Sequence, residues 1–304
     1  MIYGITGNPL KDGVWDPVAT LVQLLEERGA SFRLHPALSE GLAQRGLFDA
    51  AYCSAHEAGQ LAHEADVIIC FGGDGTLLRY AQEVGPLQTP LLGVNVGRLG
   101  FLADITVAEV SRAVDLLEQR TYRVEDRLVL QVHVLPTSNA EPGDEALQLW
   151  ALNEVAVHRS GTAGLITVHV QVADTPLNAY WADGLIIATP TGSTAYSLSA
   201  GGPILMPETQ ALVLTPVAPH TLTMRPLVLP DDRILKVHVD AEGQPFVVSI
   251  DGMIHHESSG PVHLTVQRAA HSVKLIKFPE QSFFKTLRTK LMWGRRARSP
   301  DDDG

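Results

Sequence analysis

Apolar residues follow one pattern in the first third of the chain and another in the remainder. In the first third, short and mostly apolar runs at 1–6, 67–71 and 91–96 alternate with segments whose apolar residues recur every three to four positions. Apolar runs of this length are typical of strands buried on both faces of a parallel sheet, and the longer period indicates amphipathic helices. The pattern predicts an α/β domain with a Rossmann-like layered sheet over residues 1–105.

After a helix predicted near 107–119, apolar positions alternate with polar ones. Two such runs are 128–135 and 166–172, and six more follow before residue 277. Many short period-two runs between Gly, Pro and Asp clusters are typical of a β-rich domain, which we predict over 106–277.

The end of the chain carries one further apolar stripe, at helical spacing. Its members are Phe283, Phe284, Leu287 and Leu291. They predict a C-terminal helix over 280–292, and we expect residues 278–294 to pack back on the first domain. The charged residues 295–304 are expected to form a disordered tail.

Composition narrows the class of protein. The chain has 304 residues and a formal net charge of -11, whereas nucleic-acid binding requires a basic surface. Its two cysteines imply no disulfide framework. No apolar stretch approaches the roughly 20 residues that a membrane span needs, and no signal-like segment opens the chain. We expect a cytoplasmic protein without nucleic-acid or membrane partners.

Candidate chemistry begins at the loop that follows the apolar run 67–71. Gly72, Gly73 and Gly75 let backbone N–H groups and a helix N-terminus approach a phosphate closely. Asp74 lies among them, and an anion in a phosphate loop is unfavourable unless it holds Mg²⁺ or a substrate hydroxyl. The same residues also suit a tight turn with an Asp or Thr helix cap, so the loop alone leaves both interpretations open.

The loop is neither a Walker A sequence nor a GxGxxG fingerprint, because its glycine spacing differs and no Gly-Lys-Ser/Thr follows. It resembles the Gly-Gly-Asp-Gly signature shared by NAD kinases, diacylglycerol and sphingosine kinases, and phosphofructokinases.

A second candidate segment is 183–203, in which an apolar run leads into a turn rich in hydroxyls and small residues. Hydroxyls, exposed amides and one aromatic ring suit a ribose and a flat base. Turns of Thr, Ser, Gly and Pro are also common in β domains, so this segment too permits a purely structural interpretation.

Taken together, the segments resemble an NAD kinase of the bacterial type, and the similarity covers most of the chain. The matching segments are 72–79, 93–102, 151–155, 183–203, 218–222, 225–230 and 249–252. The resemblance implies ATP-dependent phosphorylation of the 2′-hydroxyl on the adenosine ribose of NAD, which gives NADP. It also implies a homodimer or homotetramer, with ATP or polyphosphate as donor and the active site in a crevice between the domains.

The resemblance assigns a role to each residue of the first loop. Asp74 would be the general base and would also contact NAD, together with Gly75 and Arg79. Gly72, Gly73 and Gly75 would offer N–H groups to the phosphates, and His220 could meet a phosphate. No dedicated metal site is implied: Mg²⁺ would arrive with ATP and could be held in part by Asp74.

The remaining NAD-binding residues are implied in the second domain. Asn153 and Glu154 would grip the adenosine half, and Asp183 would face the nicotinamide half. The pocket would be lined by Thr194, Ala195, Tyr196, Ser199 and Ala218. Met253 departs from the family, which often has Gln there, and a thioether cannot replace the hydrogen bonds of an amide.

Two other functions remain as alternatives. A lipid kinase of the diacylglycerol type would need an apolar cleft or a basic membrane-facing surface, which the negative charge disfavours. A non-catalytic NAD(H) sensor would not need Asp74.

Overall fold

A computed structural model of the chain describes residues 1–97, 100–136, 147–161 and 164–293. The predicted tail 295–304 lies outside the described residues. The chain forms two compact units, one of residues 1–125 with those from 274 onward and one of residues Asp126–Val273. No helix of the described chain is both long enough and apolar enough to cross a membrane.

Helices dominate the first unit and strands the second. The α-helices are α1 (Trp15–Glu27), α2 (Pro36–Gln44), α3 (Ala50–His56), α4 (Leu61–Glu64), α5 (Asp74–Val84), α6 (Val110–Glu118), α7 (Tyr196–Ser199) and α8 (Phe283–Lys290). The strands are β1 (Ile2–Gly7), β2 (Ser31–Leu34), β3 (Val67–Gly72), β4 (Leu91–Asn95), β5 (Ile105–Thr106), β6 (Arg123–Arg127), β7 (Leu130–Pro136), β8 (Leu147–Ala151), β9 (Glu154–Arg159), β10 (Ile166–Val172), β11 (Thr175–Ala182), β12 (Gly184–Ala188), β13 (Ala211–Val217), β14 (Leu227–Pro230), β15 (Leu235–Asp240), β16 (Phe246–Ile250), β17 (Met253–Ser258), β18 (Val262–Arg268) and β19 (Val273–Lys277).

The first unit is built on one sheet with the strand order β2, β1, β3, β4, β19, β6, and β5 also pairs with β4. Strands β1, β3 and β4 are parallel. Their carboxyl ends lie side by side in the sheet, because Gly7 pairs with Phe71 and Gly72 pairs with Asn95. Every residue of β3 is buried, as its unbroken apolar run predicts. The loops that follow these three strands therefore leave the same edge of the sheet, where open α/β sheets bind ligands.

The second unit contains two six-stranded antiparallel sheets. One has the order β11, β10, β15, β18, β7, β8, and the other has the order β14, β13, β12, β9, β16, β17. Apolar residues of both sheets, such as Val168 and Val237 from the first and Leu185 and Phe246 from the second, form one shared core. The predicted fold class, an α/β domain followed by a β-rich domain, is confirmed.

The division between the units differs from the predicted one. The first unit extends through Glu125 rather than ending at residue 105, because α6 buries Val110, Val114 and Leu117 in the core of the first unit. An amphipathic stripe shows which face of a helix is buried but not which core covers it. The chain returns to the first unit at Lys274 rather than at residue 278, since β19 is a strand of its sheet.

The C-terminal helix lies in the first unit as predicted but is shorter than expected. Helix α8 covers Phe283–Lys290 instead of 280–292, and Leu287 is its one fully buried residue. The side chain of Phe284 is 54% exposed, so the predicted apolar stripe is only partly covered within the described chain.

Four histidines lie on the sheet that contains β7, β10, β15 and β18. His238 is paired across the ladder with His169 on one side and His263 on the other. The ring centroid of His238 lies 5.8 Å from that of His169 and 4.5 Å from that of His263. His133 lies on β7, opposite Thr265 of β18.

Candidate active site

Asp74 is the first residue of α5, directly after the loop that follows β3. The carbonyl oxygen of Gly73 starts the helix by accepting the N–H groups of Thr76 and Leu77 at 3.0 and 3.1 Å. At this position the side chain of Asp74 lies at the carboxyl edge of the sheet, beside the loop that follows β4. The strand, turn and helix predicted from the sequence are all present.

The Asp74 carboxylate accepts three hydrogen bonds from consecutive backbone N–H groups. Phe101 donates to Oδ2 at 2.8 Å, and Leu102 and Ala103 both donate to Oδ1 at 3.0 Å. These donors fix the carboxylate in one orientation and stabilise its charge. None was identified from the sequence, because they lie 27 to 29 residues away.

The glycines around Asp74 serve two different purposes. A Cβ atom on Gly72 would collide with the side chain of Thr76, and one on Gly100 would collide with the Asp74 carboxylate. Among the described residues, a Cβ on Gly75 would meet nothing within 4 Å, and one on Gly73 would meet only the Lys11 amine at 3.8 Å. Gly72 and Gly100 therefore permit close packing, whereas Gly73 and Gly75 are not crowded by any other described residue.

Arg79 and Lys11 are cationic side chains in this part of the first unit. Arg79 lies one turn into α5, and its exposed guanidinium pairs with Glu83 at 3.3 Å. Lys11 follows β1, and its amine lies near Gly73. Lys11 was not identified from the sequence, although the parallel order of β1 and β3 brings the loops after them to one edge.

Asn153 and Glu154 lie at the start of β9 in the second unit and are buried, with 8% and 5% of their surfaces exposed. The Asp251 carboxylate accepts the N–H groups of Leu152, Asn153 and Glu154 at 2.9, 2.7 and 3.1 Å. An exposed strand pair would not need such support, so the burial argues against a merely solvated Asn-Glu pair.

Glu154 is electrostatically unusual. Its pKa is raised to about 7, chiefly by burial and in part by the negative charge of Asp251, while a hydrogen bond from the Tyr196 backbone acts in the opposite direction. Its Oε2 atom is buried without a hydrogen-bond partner among the described residues. Perturbed carboxyl groups of this kind occur preferentially at functional sites.

The turn after β12 is tied to the same segment. The Thr189 hydroxyl donates to the Leu152 carbonyl at 2.6 Å and accepts the Gly192 N–H at 3.0 Å. The Thr194 hydroxyl donates to the Thr191 carbonyl at 3.1 Å. The turn thus brings residues 194–196 close to Glu154, and the ring of Tyr196 remains 40% exposed. Ala195 is partly buried, and Ser199, at the end of α7, is exposed.

Asp183 lies between β11 and β12 and has a cationic partner. Arg159 donates from Nε to Oδ1 at 2.7 Å and from Nη2 to Oδ2 at 3.4 Å. The Asp183 N–H donates to the Val217 carbonyl at 3.0 Å, next to Ala218. Arg159 was not predicted, because it lies 24 residues before Asp183 on a neighbouring strand.

The other predicted residues of the second unit lie at strand ends. Ala218 has a positive φ of 44°, and the N–H of the exposed His220 donates to the Trp181 carbonyl at 3.0 Å. Met253 is 42% exposed at the start of β17. The described part of the chain contains no group of three or more His, Cys, Asp or Glu side chains placed to hold a metal ion.

Comparison with known families matches both parts of the chain. The model of the ATP-NAD kinase N-terminal domain matches residues 4–122, and that of the C-terminal domain matches residues 152–278. The chain belongs to the NAD kinase family. Members of this family are enzymes that phosphorylate NAD with ATP, and this is the activity of the chain.

Curated relatives agree over nearly the full length. The NAD kinase of Bacteroides fragilis is 39% identical over 98% of the chain and all of the relative. That of Porphyromonas gingivalis is 40% identical over 97% of the chain and 98% of the relative. The predicted enzyme class is confirmed, and neither the lipid kinase nor the sensor is favoured.

Solved structures support the fold. Yeast NADH kinase complexed with NADH has a TM-score of 0.86 and 22% identity. The match covers 98% of this chain and 89% of the yeast chain. An NAD kinase from Archaeoglobus fulgidus in complex with ATP has a TM-score of 0.72 and 24% identity, and covers 96% of this chain and 99% of its own.

Proposed function

We propose that Asp74 is the general base that accepts the proton of the 2′-hydroxyl on the adenosine ribose of NAD as ATP phosphorylates it. The observation that carries this proposal is the carboxylate held by three N–H groups beside the open glycines 73 and 75. A fixed acceptor next to uncrowded glycine backbone, where a phosphate can approach, is what in-line phosphoryl transfer requires.

The hydrogen bonds of Asp74 limit what else it can bind. An ionised carboxylate has about four lone-pair directions, and three of them accept backbone N–H groups. The remaining direction is on Oδ2, where a single ligand fits. We assign this direction to the ribose hydroxyl, which approaches as a hydrogen-bond donor and transfers its proton late, as charge develops in a loose transition state.

The phosphates of ATP would be met by the N–H groups of Gly73 and Gly75, the first turn of α5 and the amine of Lys11. Helix N-termini carry partial positive charge and unpaired N–H donors, which favours anions. Arg79 would add a cation one turn further along α5. Because the chain has a net charge of -11, these local groups must meet the triphosphate charge.

A divalent cation, Mg²⁺, would accompany the triphosphate and neutralise part of its charge. We propose no dedicated metal site made of protein side chains, because the described residues contain no group of three or more His, Cys, Asp or Glu side chains that could hold a metal ion. Because the one remaining lone-pair direction of Asp74 is assigned to the ribose hydroxyl, phosphate oxygens and water would supply the ligands of the cation.

The second unit would bind NAD. Asn153 and Glu154 would hydrogen-bond the adenosine half, and the exposed ring of Tyr196 offers a stacking surface. Thr194, Ala195 and Ser199 would line the same pocket. Asp183, oriented by Arg159, would contact the nicotinamide half, with Ala218 close to it, and His220 would meet a phosphate.

We also propose that the enzyme acts in the cytoplasm as a homodimer or homotetramer, as its family resemblance implies. The described cysteines, Cys53 and Cys70, are free and buried, which agrees with a reducing compartment. Light scattering of the purified chain would give the oligomeric state, and fractionation of source cells would give its location.

The direct test is a product assay with NAD, ATP and Mg²⁺, coupled to an NADP-specific dehydrogenase. Replacing NAD by NADH, and ATP by polyphosphate, would define the accepted substrates in the same assay. Wild-type enzyme should form NADP, and Asp74→Asn should bind NAD without turning it over. An Asp74→Asn variant as active as wild type would contradict the role of Asp74.

A further inference from the structure

One lysine of the first unit is buried behind the Asp74 site. Lys277 is the last residue of β19, and its side chain is 5% exposed. Its Nζ atom lies 2.8 Å from Oδ2 of Asp104, whose side chain is 11% exposed, and donates to the Leu102 carbonyl at 3.2 Å. Lysine is rarely buried unless it is paired, so these two acceptors account for its position.

The Leu102 carbonyl and the Ala103 N–H belong to the same peptide group. Lys277 donates to the oxygen of this peptide group, and the N–H of the same peptide group donates to Asp74 Oδ1 at 3.0 Å. A single rigid peptide plane therefore connects the lysine ammonium to the carboxylate. Hydrogen bonds in such a chain polarise one another, so the ammonium strengthens the N–H donor that faces Asp74.

The neighbouring peptide group is held in a similar way. The Ala103 carbonyl accepts the Gly100 N–H at 3.1 Å and the Asn95 Nδ2 at 3.3 Å. Carbonyl groups on one side of residues 101–103 are thus bound by Lys277 and Asn95, while N–H groups on the other side bind Asp74. Lys277 is the charged member of this arrangement.

We propose that Lys277 is a positioning residue for phosphoryl transfer, which acts through the Leu102–Ala103 peptide to hold the Asp74 carboxylate in its reactive orientation. The proposal rests on the proposed role of Asp74. Lys277 itself is assigned no contact with either substrate. Its removal should therefore lower kcat and leave the KM values for NAD and ATP nearly unchanged.

The test uses Lys277→Met together with Asp104→Asn, because the double change leaves no buried charge unpaired. Lys274→Met is the matched control, since it lies on the same strand three residues earlier and so on the opposite face. Folding is checked by thermal unfolding, and kcat and both KM values are measured per folded enzyme.

We expect the double variant to lose about tenfold or more in kcat, since misplacement of a reacting group by about 1 Å can cost about 10²-fold. Both KM values should stay within about twofold, and Lys274→Met should resemble wild type. A folded double variant with wild-type kcat would show that the ion pair is only structural and would overturn the proposal.

A mutant cycle separates this proposal from the role of Asp74. If Lys277 acts through Asp74, the double change should alter the residual turnover of Asp74→Asn by less than about twofold. Equal losses in both backgrounds would overturn the positioning role even if Asp74 is the base. Wild-type turnover in Asp74→Asn alone would instead remove Asp74 from the mechanism, and with it the basis of this inference.

Discussion

Each unit of the molecule holds one carboxylate in a cradle of three consecutive backbone N–H groups. Asp74 is held by residues 101–103 and Asp251 by residues 152–154. The local geometry is nearly the same, but the surroundings differ. Asp74 lies beside open glycines and a lysine, whereas Asp251 lies beside the buried carboxyl of Glu154.

This difference indicates that a cradle of N–H groups does not by itself determine the role of the carboxylate that it holds. Such a cradle fixes and stabilises an anion, and the groups that lie beside the anion determine what it can do. Next to uncrowded glycines, the fixed anion can receive a hydroxyl proton. Next to another carboxyl, it raises the pKa of that group and braces the segment that carries it.

The largest expected effect comes from neutralising each carboxylate in turn. Asp74→Asn should lower kcat by about 10²–10⁴-fold, the usual contribution of a general base, and leave the dissociation constant for NAD nearly unchanged. Asp251→Asn should raise the KM for NAD more than it lowers kcat, because it disturbs the backbone of Asn153 and Glu154. Steady-state kinetics and NAD titration by calorimetry would check both. Equal losses of kcat in the two variants would contradict the different roles assigned to Asp74 and Asp251.

Glu154→Gln should stabilise the protein, and most strongly at pH 8. Because the pKa of Glu154 is about 7 in the folded chain and near 4.5 in a free side chain, the folded chain keeps a proton that the unfolded chain loses between these values. Stability from this group is therefore present below pH 4.5 and falls as the pH rises to 7. The shift corresponds to roughly 3 kcal/mol.

Chemical denaturation of wild type and Glu154→Gln from pH 5 to pH 8 would measure this effect. The difference in unfolding free energy should grow with pH and level off above pH 7. A difference that does not depend on pH would mean that Glu154 is ionised as easily in the folded state as in the unfolded chain. The same variant should bind NAD more weakly, so stability and binding would change in opposite directions.

Gly100→Ala should disturb the Asp74 cradle without changing any charged group. Its Cβ would occupy the position of the Asp74 carboxylate, so the side chain must shift away from its N–H donors. We expect kcat to fall by about 10- to 100-fold. Gly97→Ala is the control in the same loop, because its Cβ would approach no described residue closer than 3.9 Å. Equal kcat values for the two variants would mean that the exact position of the carboxylate does not matter.

The sequence predicts local structure around Asp74 better than it predicts the partners of Asp74. Strand β3, its glycine turn and α5 could be predicted, because an unbroken apolar run and a helical period are local signals. The donors 101–103 could not be, since they come from the loop after a neighbouring strand. Asp251 was matched to the family only as part of a segment, and its cradle lies 97 to 99 residues earlier in the chain.

The placement of α6 failed as a prediction for a related reason. Its apolar stripe indicates a buried face, but both units offer an apolar core, and the alternating strands that follow α6 favoured the second. In the structure, Arg28 of the first unit pairs with Asp115 and Glu118 of α6 at 2.7 and 3.0 Å. Contacts between elements this far apart in sequence depend on how the elements are arranged in the fold, and the periodicity of apolar residues does not reveal that arrangement.

The smallest expected effect concerns Lys11, the exposed lysine whose amine lies near Gly73 in the Asp74 site. An exposed amine near Gly73 can contribute about 1 kcal/mol to binding a phosphate, because solvent screens it. Lys11→Ala should therefore raise the KM for ATP about fivefold, with little change in kcat or in the KM for NAD.

Lys11→Arg should keep most of the ATP affinity because it keeps the charge, and Lys236→Ala is the control for a lost lysine, since that side chain pairs with Asp174 in the second unit. Raising the salt concentration should reduce the difference between Lys11→Ala and wild type, as expected for an exposed charge. If Lys11→Ala raises both KM values equally, the amine acts on the fold of the loop rather than on the triphosphate. The contrast between the two cradles would then rest on the glycines beside Asp74 and on Glu154 beside Asp251.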